Sequence, residues 1–192
     1  MVSILARIRI PMGFCLAGLY FYMAKPTWPT LPFGLALAFF GILFRAWATG
    51  NIHKDNQLAI GGPYTLSRHP LYLGTFVIGL GFCLAGSNLL ILLFFVTFFF
   101  CLYIPVMKAE EKHLKKLFNQ EYENYKKSVP FFIPSKWPSN KIISTFQLGR
   151  YLKNKEYKVL LGFIISFGLL ILKMYLPILC YYIFHIDKYQ QL

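Results

Sequence analysis

The sequence predicts an all-α fold: a polytopic transmembrane helical bundle of about five spans, with a cytosolic amphipathic helix after the fourth. Three observations carry that expectation. The chain is 57% hydrophobic, and the apolar residues come in long unbroken runs rather than in period-2 or period-3.6 patterns. The runs are close to the roughly 20 residues that a spanning helix needs. The 20 Lys and Arg, set against 7 Asp and Glu, are distributed so that five spans place nearly all of them on one side.

The first run, residues 8–24, follows Arg7 and Arg9; without a clear small-x-small cleavage site it reads as an uncleaved span. A Pro-rich turn over residues 25–32 leads to a second span at 33–48. The polar stretch 50–69 contains the turn Gly61-Gly62-Pro63. The third span starts at Pro70, which suits the first position of a helix, and ends near Gly86. Ser87-Asn88 connects it to the fourth, at 89–106. The polar stretch 108–158 precedes a fifth span at 159–176 and an aromatic tail with Tyr181, Tyr182 and Tyr189 suited to the interface. Arg7, Arg9, Arg45, Lys54, Arg68, Arg150 and the lysines of 108–158 share one side, which the positive-inside rule makes cytosolic. Lys25, Lys173 and Lys188 remain on the other, Lys173 near the outer end of its span where it can snorkel. The whole chain reads as one membrane-embedded domain, with a basic face held against anionic headgroups. It carries no nucleic-acid-binding motif. Cys15, Cys83, Cys101 and Cys180 each lie in an apolar run without metal-ligand spacing, and are expected to be buried free thiols.

Residues 108–127 read as an amphipathic helix continuing out of the fourth span. At 100° per residue Met107, Leu114, Leu117, Phe118 and Tyr125 share one face. Glu110, Glu111 and Glu121 fall on that same face, while Lys112, Lys115, Lys116, Lys126 and Lys127 lie mostly opposite. Acids on a buried face are costly unless they meet a cation, so a pairing is expected; the plainer alternative is a solvated pair beside Lys112 and Lys115.

A second constellation is Gly62-Pro63-Tyr64-Thr65-Leu66-Ser67-Arg68-His69-Pro70-Leu71-Tyr72-Leu73-Gly74. It enters the third span, where free N–H groups and a partial positive charge can hold an anion. Arg68 and His69 add to that, although Arg, His and Tyr also serve as plain interfacial anchors. Gly74, Ile78, Gly81 and Ala85 form a small-residue stripe that close helix packing explains. Together the two constellations could hold a zwitterionic amino-acid head at the membrane surface, where a lipid-borne substrate can enter sideways.

The stretch Gly62-Pro63-Tyr64…Arg68-His69-Pro70-Leu71-Tyr72-Leu73-Gly74, then Glu110-Glu111, then Phe118-Asn119-Gln120-Glu121-Tyr122-Glu123-Asn124-Tyr125 and Val129-Pro130…Pro134 resembles the isoprenylcysteine carboxyl methyltransferase family. That family shares its motif with phospholipid methyltransferases, and order and spacing match over about residues 45–134. The resemblance implies a membrane-embedded methyltransferase that uses S-adenosyl-L-methionine, bound at the cytosolic ends of the spans. By position it implies cofactor contacts at Leu58, in the loop from Asn56 to Ala59, and at Tyr64, His69, Pro70, Leu71, Tyr72, Gly74, Glu110 and Glu111. Arg68 or Lys108 would meet an anionic acceptor or headgroup. Members acting on prenylcysteine carry an Arg shortly before the acidic pair; here that region reads Ile104-Pro105-Val106-Met107, with Lys108 the nearest cation, and Lys does not replace a bidentate Arg. The implied partners are membrane lipids and a lipophilic or prenylated substrate from the bilayer. The implied location is an inner membrane in a bacterium or the endoplasmic reticulum in a eukaryote. Three other readings stand beside this one: a phospholipid N-methyltransferase, a reductase of the NADPH-dependent sterol type, and a non-enzymatic membrane scaffold. The reductase is weakened by the absence of a Gly-rich dinucleotide turn.

Overall fold

A computed structural model describes the backbone of residues 2–52, 57–135 and 146–189, and side chains between residues 11 and 177 within them. The side chains of Arg7, Arg9, Cys180, Tyr181, Tyr182 and Tyr189, and all of Lys54 and Asn56, lie outside the described residues. Helices follow the apolar runs: α1 (Val2–Met23), α2 (Thr30–Gly50), α3 (Pro70–Ala85), α4 (Leu89–Ser128), α5 (Leu148–Lys153) and α6 (Tyr157–Tyr189), with a 3-10 turn at Gly62–Thr65. Among the described residues there is no strand.

α2, α4 and α6 are each long and apolar enough to cross a membrane, as an integral membrane protein requires. The apolar helices Pro11–Met23 and α3 are shorter; α3, at 16 residues, extends only about 24 Å. The apolar exterior follows from a hydrocarbon solvent. Phe33 and Phe40 of α2, Leu89 and Phe94 of α4, and Ile165 and Leu172 of α6 are all exposed.

Local chemistry sets the boundaries. Pro70 opens α3 as expected. The Asn88 side chain accepts the Leu90 N–H at 3.0 Å and caps α4, after the tight turn at Ser87 (φ 47°). α4 runs from the apolar segment straight into the amphipathic one, so the fourth span and the polar helix form one 40-residue rod. It kinks at Asn119, whose φ of 40° and ψ of −108° are non-helical. The short α5 falls inside a stretch for which no element was expected.

α2 and α3 are the most closely packed pair, and the small residues explain it. A Cβ on Gly81 would strike the Ala38 N and Gly34 O atoms, and one on Gly41 would meet the Gly74 carbonyl at 2.9 Å. The small-residue stripe of α3 is therefore a packing seam, as expected. One end of the bundle gathers the α1 C-terminus, the α3 C-terminus and the start of α4. There the Tyr20 hydroxyl donates to the Phe82 carbonyl at 2.7 Å, and the Asn88 amide to the Met23 carbonyl at 3.2 Å. Lys173 of α6 reaches the same place and donates to the carbonyls of Phe21 and Tyr22, capping the end of α1. Its ammonium is thus held by protein. The thiols divide: Cys83 is buried, but Cys15 and Cys101 are exposed on outward helix faces, correcting the expectation that all are buried.

Candidate functional site

The opposite end of the bundle brings the two motif segments together. Ser67 folds back so that its hydroxyl accepts the His69 N–H at 3.1 Å, and the Arg68 N–H donates to the Pro130 carbonyl at 3.0 Å. The second contact ties the approach to α3 to the segment following α4. The Tyr125 hydroxyl donates to the Tyr64 carbonyl at 2.7 Å, fastening the 3-10 turn to the polar half of α4.

Within that frame Arg68 is ion-paired through Nη1 with Glu111 Oε1, both side chains nearly buried. The guanidinium lies 5.3 Å from the Phe131 ring centre, an arrangement in which the ring face favours the cation. His69 sits between the acids: Nε2 is 3.5 Å from Glu111 Oε1, and Nδ1 is 4.0 Å from Glu110 Oε2. These are approaches to a neutral ring. Burial first, and the Arg68 charge second, press the His69 pKa down to about 4, and Glu111 is already engaged by Arg68. The imidazole packs edge-on against Phe131 at 5.1 Å and Tyr72 at 5.8 Å. Burial, reinforced by Glu110, raises the Tyr64 phenol well above its ordinary value. Burial and then Glu111 raise Tyr122 to about 12, and burial leads the rise at Tyr125. All three stay protonated near neutral pH.

Two buried nitrogens, Arg68 Nε and His69 Nε2, lie here without a hydrogen-bond partner among the described residues, and the Tyr122 hydroxyl lies beside Arg68 and Glu111. Such atoms are costly unless a ligand or water satisfies them.

The expected residues are distributed unevenly around it. Tyr64, Arg68, His69, Tyr72, Glu110 and Glu111 come together. Pro70 is fully buried as the first residue of α3, and the Leu71 carbonyl accepts from Arg45 Nη1 at 3.3 Å. Leu58 packs in an apolar cluster with Tyr122 and Tyr125. Gly74 is explained by packing, because a Cβ there would run into the Cγ of Arg45. Lys108 is exposed on another face of α4, beside Lys112 and Lys116, and is not brought to the His69 cluster. The face assignment is also corrected. Glu111 turns inward, but the Glu110 side chain is 49% exposed, and Glu121 and Leu117 are exposed. Glu110 and Leu117 lie toward the rim of the buried arc, and Glu121 lies beyond the kink at Asn119. Asn56 lies outside the described residues.

Sequence reasoning assigned no role to Arg45 or Glu156. Arg45 Nε donates to Glu156 Oε1 at 2.5 Å, and its Nη1 also donates to Thr75 Oγ1. One side chain thus joins α2, the first turns of α3 and the entrance to α6. The signal was an arginine inside the second apolar run, which demands a partner. Tyr122 and Phe131 lie in or beside the quoted motif, without a pattern that singled them out.

An apolar cavity of about 190 Å³ lies elsewhere, near the α1 C-terminus and the start of α4, bordered by Tyr20, Gly79, Cys83, Ile91 and Phe95. Among the described residues, no group of three His, Cys, Asp or Glu could hold a metal ion.

Known proteins resemble the motif-bearing part of the chain. Residues 47–136 match the Ergosterol biosynthesis ERG4/ERG24 family. The chain is 31% identical over 134 residues to the cobalt-zinc-cadmium resistance protein CzcN of Cupriavidus metallidurans, covering 66% of this chain and 61% of that protein. It is 34% identical over 82 residues to the protein-S-isoprenylcysteine O-methyltransferase of Schizosaccharomyces pombe (43% of this chain, 35% of that one). It is 38% identical over 81 residues to the Saccharomyces cerevisiae protein of the same name (42% and 34%). The resemblance read from the motif is thus matched by homologues of that name. The chain spans between about a third and three fifths of the length of these curated relatives. No solved structure matches the chain significantly.

Proposed function

We propose that this chain is a methyltransferase that uses S-adenosyl-L-methionine to methylate a membrane-borne, lipophilic acceptor, with a carboxylate as the methyl-accepting group. The observation that carries the reading is the pair of buried nitrogens without a partner among the described residues, Arg68 Nε and His69 Nε2, beside Glu110 and Glu111. An amino-acid head needs both a cationic or N–H partner for its carboxylate and an acid for its ammonium, and these residues supply both, so the chain fits the cofactor. His69, Arg68 and the first turn of α3 would hold the carboxylate. Glu110 or Glu111 would hold the ammonium. Tyr64 and Tyr72 shape the wall. The cofactor would supply an activated methyl group on a sulfonium. The protein's part is to orient the acceptor and exclude water, which needs no covalent participation by a side chain.

The protonation states favour a carboxylate over a lipid amine. An amine must lose a proton before it can attack, and so calls for a base of matched pKa. His69, with a pKa pressed down to about 4, is a weak base, and the neighbouring phenols hold their protons. A carboxylate acceptor arrives ionised. In this reading the motif end faces the cytosol, the whole chain acts as one domain, and the acceptor enters from the bilayer.

Calorimetry of the detergent-purified protein with S-adenosyl-L-methionine tests the cofactor. Binding should be present in the wild type and lost in Glu110→Ala/Glu111→Ala and in His69→Ala. Normal binding in the double variant would sink the assignment. Supplying S-farnesyl-cysteine or phosphatidylethanolamine with methyl-labelled cofactor then separates ester formation from amine methylation. A second reading, a reductase, is favoured by the match of residues 47–136 to the ergosterol biosynthesis family. Binding of NADPH in place of S-adenosyl-L-methionine would support it.

A further inference from the structure

The face of α4 turned away from the site changes chemistry along its length. From Leu89 to Met107 the helix is apolar and extends about 28 Å, close to the ~30 Å of a bilayer's hydrocarbon core. Leu90, Phe94, Thr97 and Cys101 succeed one another at helical spacing on the outward face, all exposed. The same row continues through Pro105 to Lys108, Lys112 and Lys116, and the three lysines are also exposed. Lys108 therefore stands where hydrocarbon gives way to headgroups. Lys112 and Lys116 come about 6 and 12 Å further on, within reach of a lysine stem that folds back toward the interface. Pro105 and Ala109 leave an open groove between the lysines, which His113 also borders.

These lysines are not occupied by acids of the chain. Lys115 pairs with Glu123 at 2.6 Å, but no carboxylate among the described residues pairs with Lys108, Lys112 or Lys116. Glu111 is turned inward to Arg68. An exposed apolar track leading into an unpaired cationic groove has the form of an amphiphile: two tails and one anion. A soluble anion would use the groove alone and leave the track without a role.

We propose that the outer face of α4 is a binding site for an anionic phospholipid, whose phosphate is held by Lys108, Lys112 and Lys116 and whose tails lie along Cys101, Phe94 and Leu90. A lipid held there fixes the rotation and height of the helix whose other side presents Glu110 and Glu111. The inference goes beyond the methyltransferase reading and does not depend on it.

The test is a lipid-association measurement by electron spin resonance on the full chain in phosphatidylcholine vesicles, using spin-labelled phosphatidylglycerol or phosphatidylcholine. The wild type should prefer phosphatidylglycerol about fivefold, the effect of roughly one lysine at an anionic surface. Lys108→Gln/Lys112→Gln/Lys116→Gln should fall to near equal association. The control Lys126→Gln/Lys127→Gln/Lys158→Gln, with the same loss of charge, should keep the preference. No preference in the wild type would overturn the proposal, as would an equal loss in both triple variants, which would trace it to overall charge. Loss of the preference on adding millimolar inorganic phosphate would likewise overturn it in favour of a soluble anion. The readout involves neither cofactor nor turnover, so its failure is separable from failure of the proposed activity.

Discussion

His69 is the site residue whose lowered pKa falls within an accessible range, and its consequence is a stability that depends on pH. In the folded chain its pKa lies at about 4 against an ordinary 6.5, because burial and Arg68 disfavour the imidazolium. Between those values the unfolded chain binds a proton that the folded chain does not, so stability falls as the pH drops from 6.5 toward 4. The full effect is about 3 kcal/mol. Thermal unfolding of the detergent-solubilised protein across pH 7 to 4 should show this loss, and His69→Gln should flatten that part of the profile. An unchanged slope in the variant would place the acid sensitivity elsewhere. The ion pair of Arg68 with Glu111 explains why this His is not rescued by its acidic neighbours: the nearer carboxylate is already taken.

At the scale of single elements, two positions decide geometry. Gly74 lets the stem of Arg45 pass across α3, and a methyl group there would strike the Arg45 Cγ. Gly74→Ala should cost about 1–3 kcal/mol as overpacking, read as a lowered thermal midpoint. Gly18→Ala and Gly162→Ala, where an added Cβ meets nothing within 4 Å, should be neutral or mildly stabilising. Equal effects at all three would argue against the seam. Asn119 carries the kink of α4 at φ 40°. Asn119→Gly should leave stability unchanged or raise it, whereas Asn119→Val should lower it by about 1–3 kcal/mol, since a β-branched side chain resists that backbone. A tolerated valine would mean that the helix can run straight through.

Across the whole molecule, the Arg45–Glu156 pair joins segments 111 residues apart and links the entrance of α6 to the start of α3. Glu156 is 8% exposed, so removing it strands a cation in a poorly solvated place. Glu156→Ala should destabilise by about 3 kcal/mol, while Arg45→Met/Glu156→Leu, which removes both charges, should cost less. A double variant as damaged as the sum of its singles would show that the two do not act as a pair. This tie gives the C-terminal helices, in which no motif was found, a structural connection to the site.

The order of residues by itself determined that the protein is helical, where its apolar runs lie, that Pro70 begins a helix, and that a basic, motif-bearing end opposes a sparsely charged one. Each of these is a local or one-dimensional property: run length, spacing at 100° per residue, or charge counted per segment. It also brought His69 and Glu111 to one end of the bundle, since each lies just beyond the same-side end of an apolar run. The tertiary structure alone decided which acid meets which cation, that Lys108 faces outward, that Leu58 and Gly74 serve packing, and that Arg45 and Glu156 meet. Those outcomes depend on helix rotation, on the kink at Asn119 and on contacts between segments far apart in the chain, which a periodic pattern does not encode. The charges near the membrane then pair where burial makes solitude costly and remain unpaired where headgroups lie within reach.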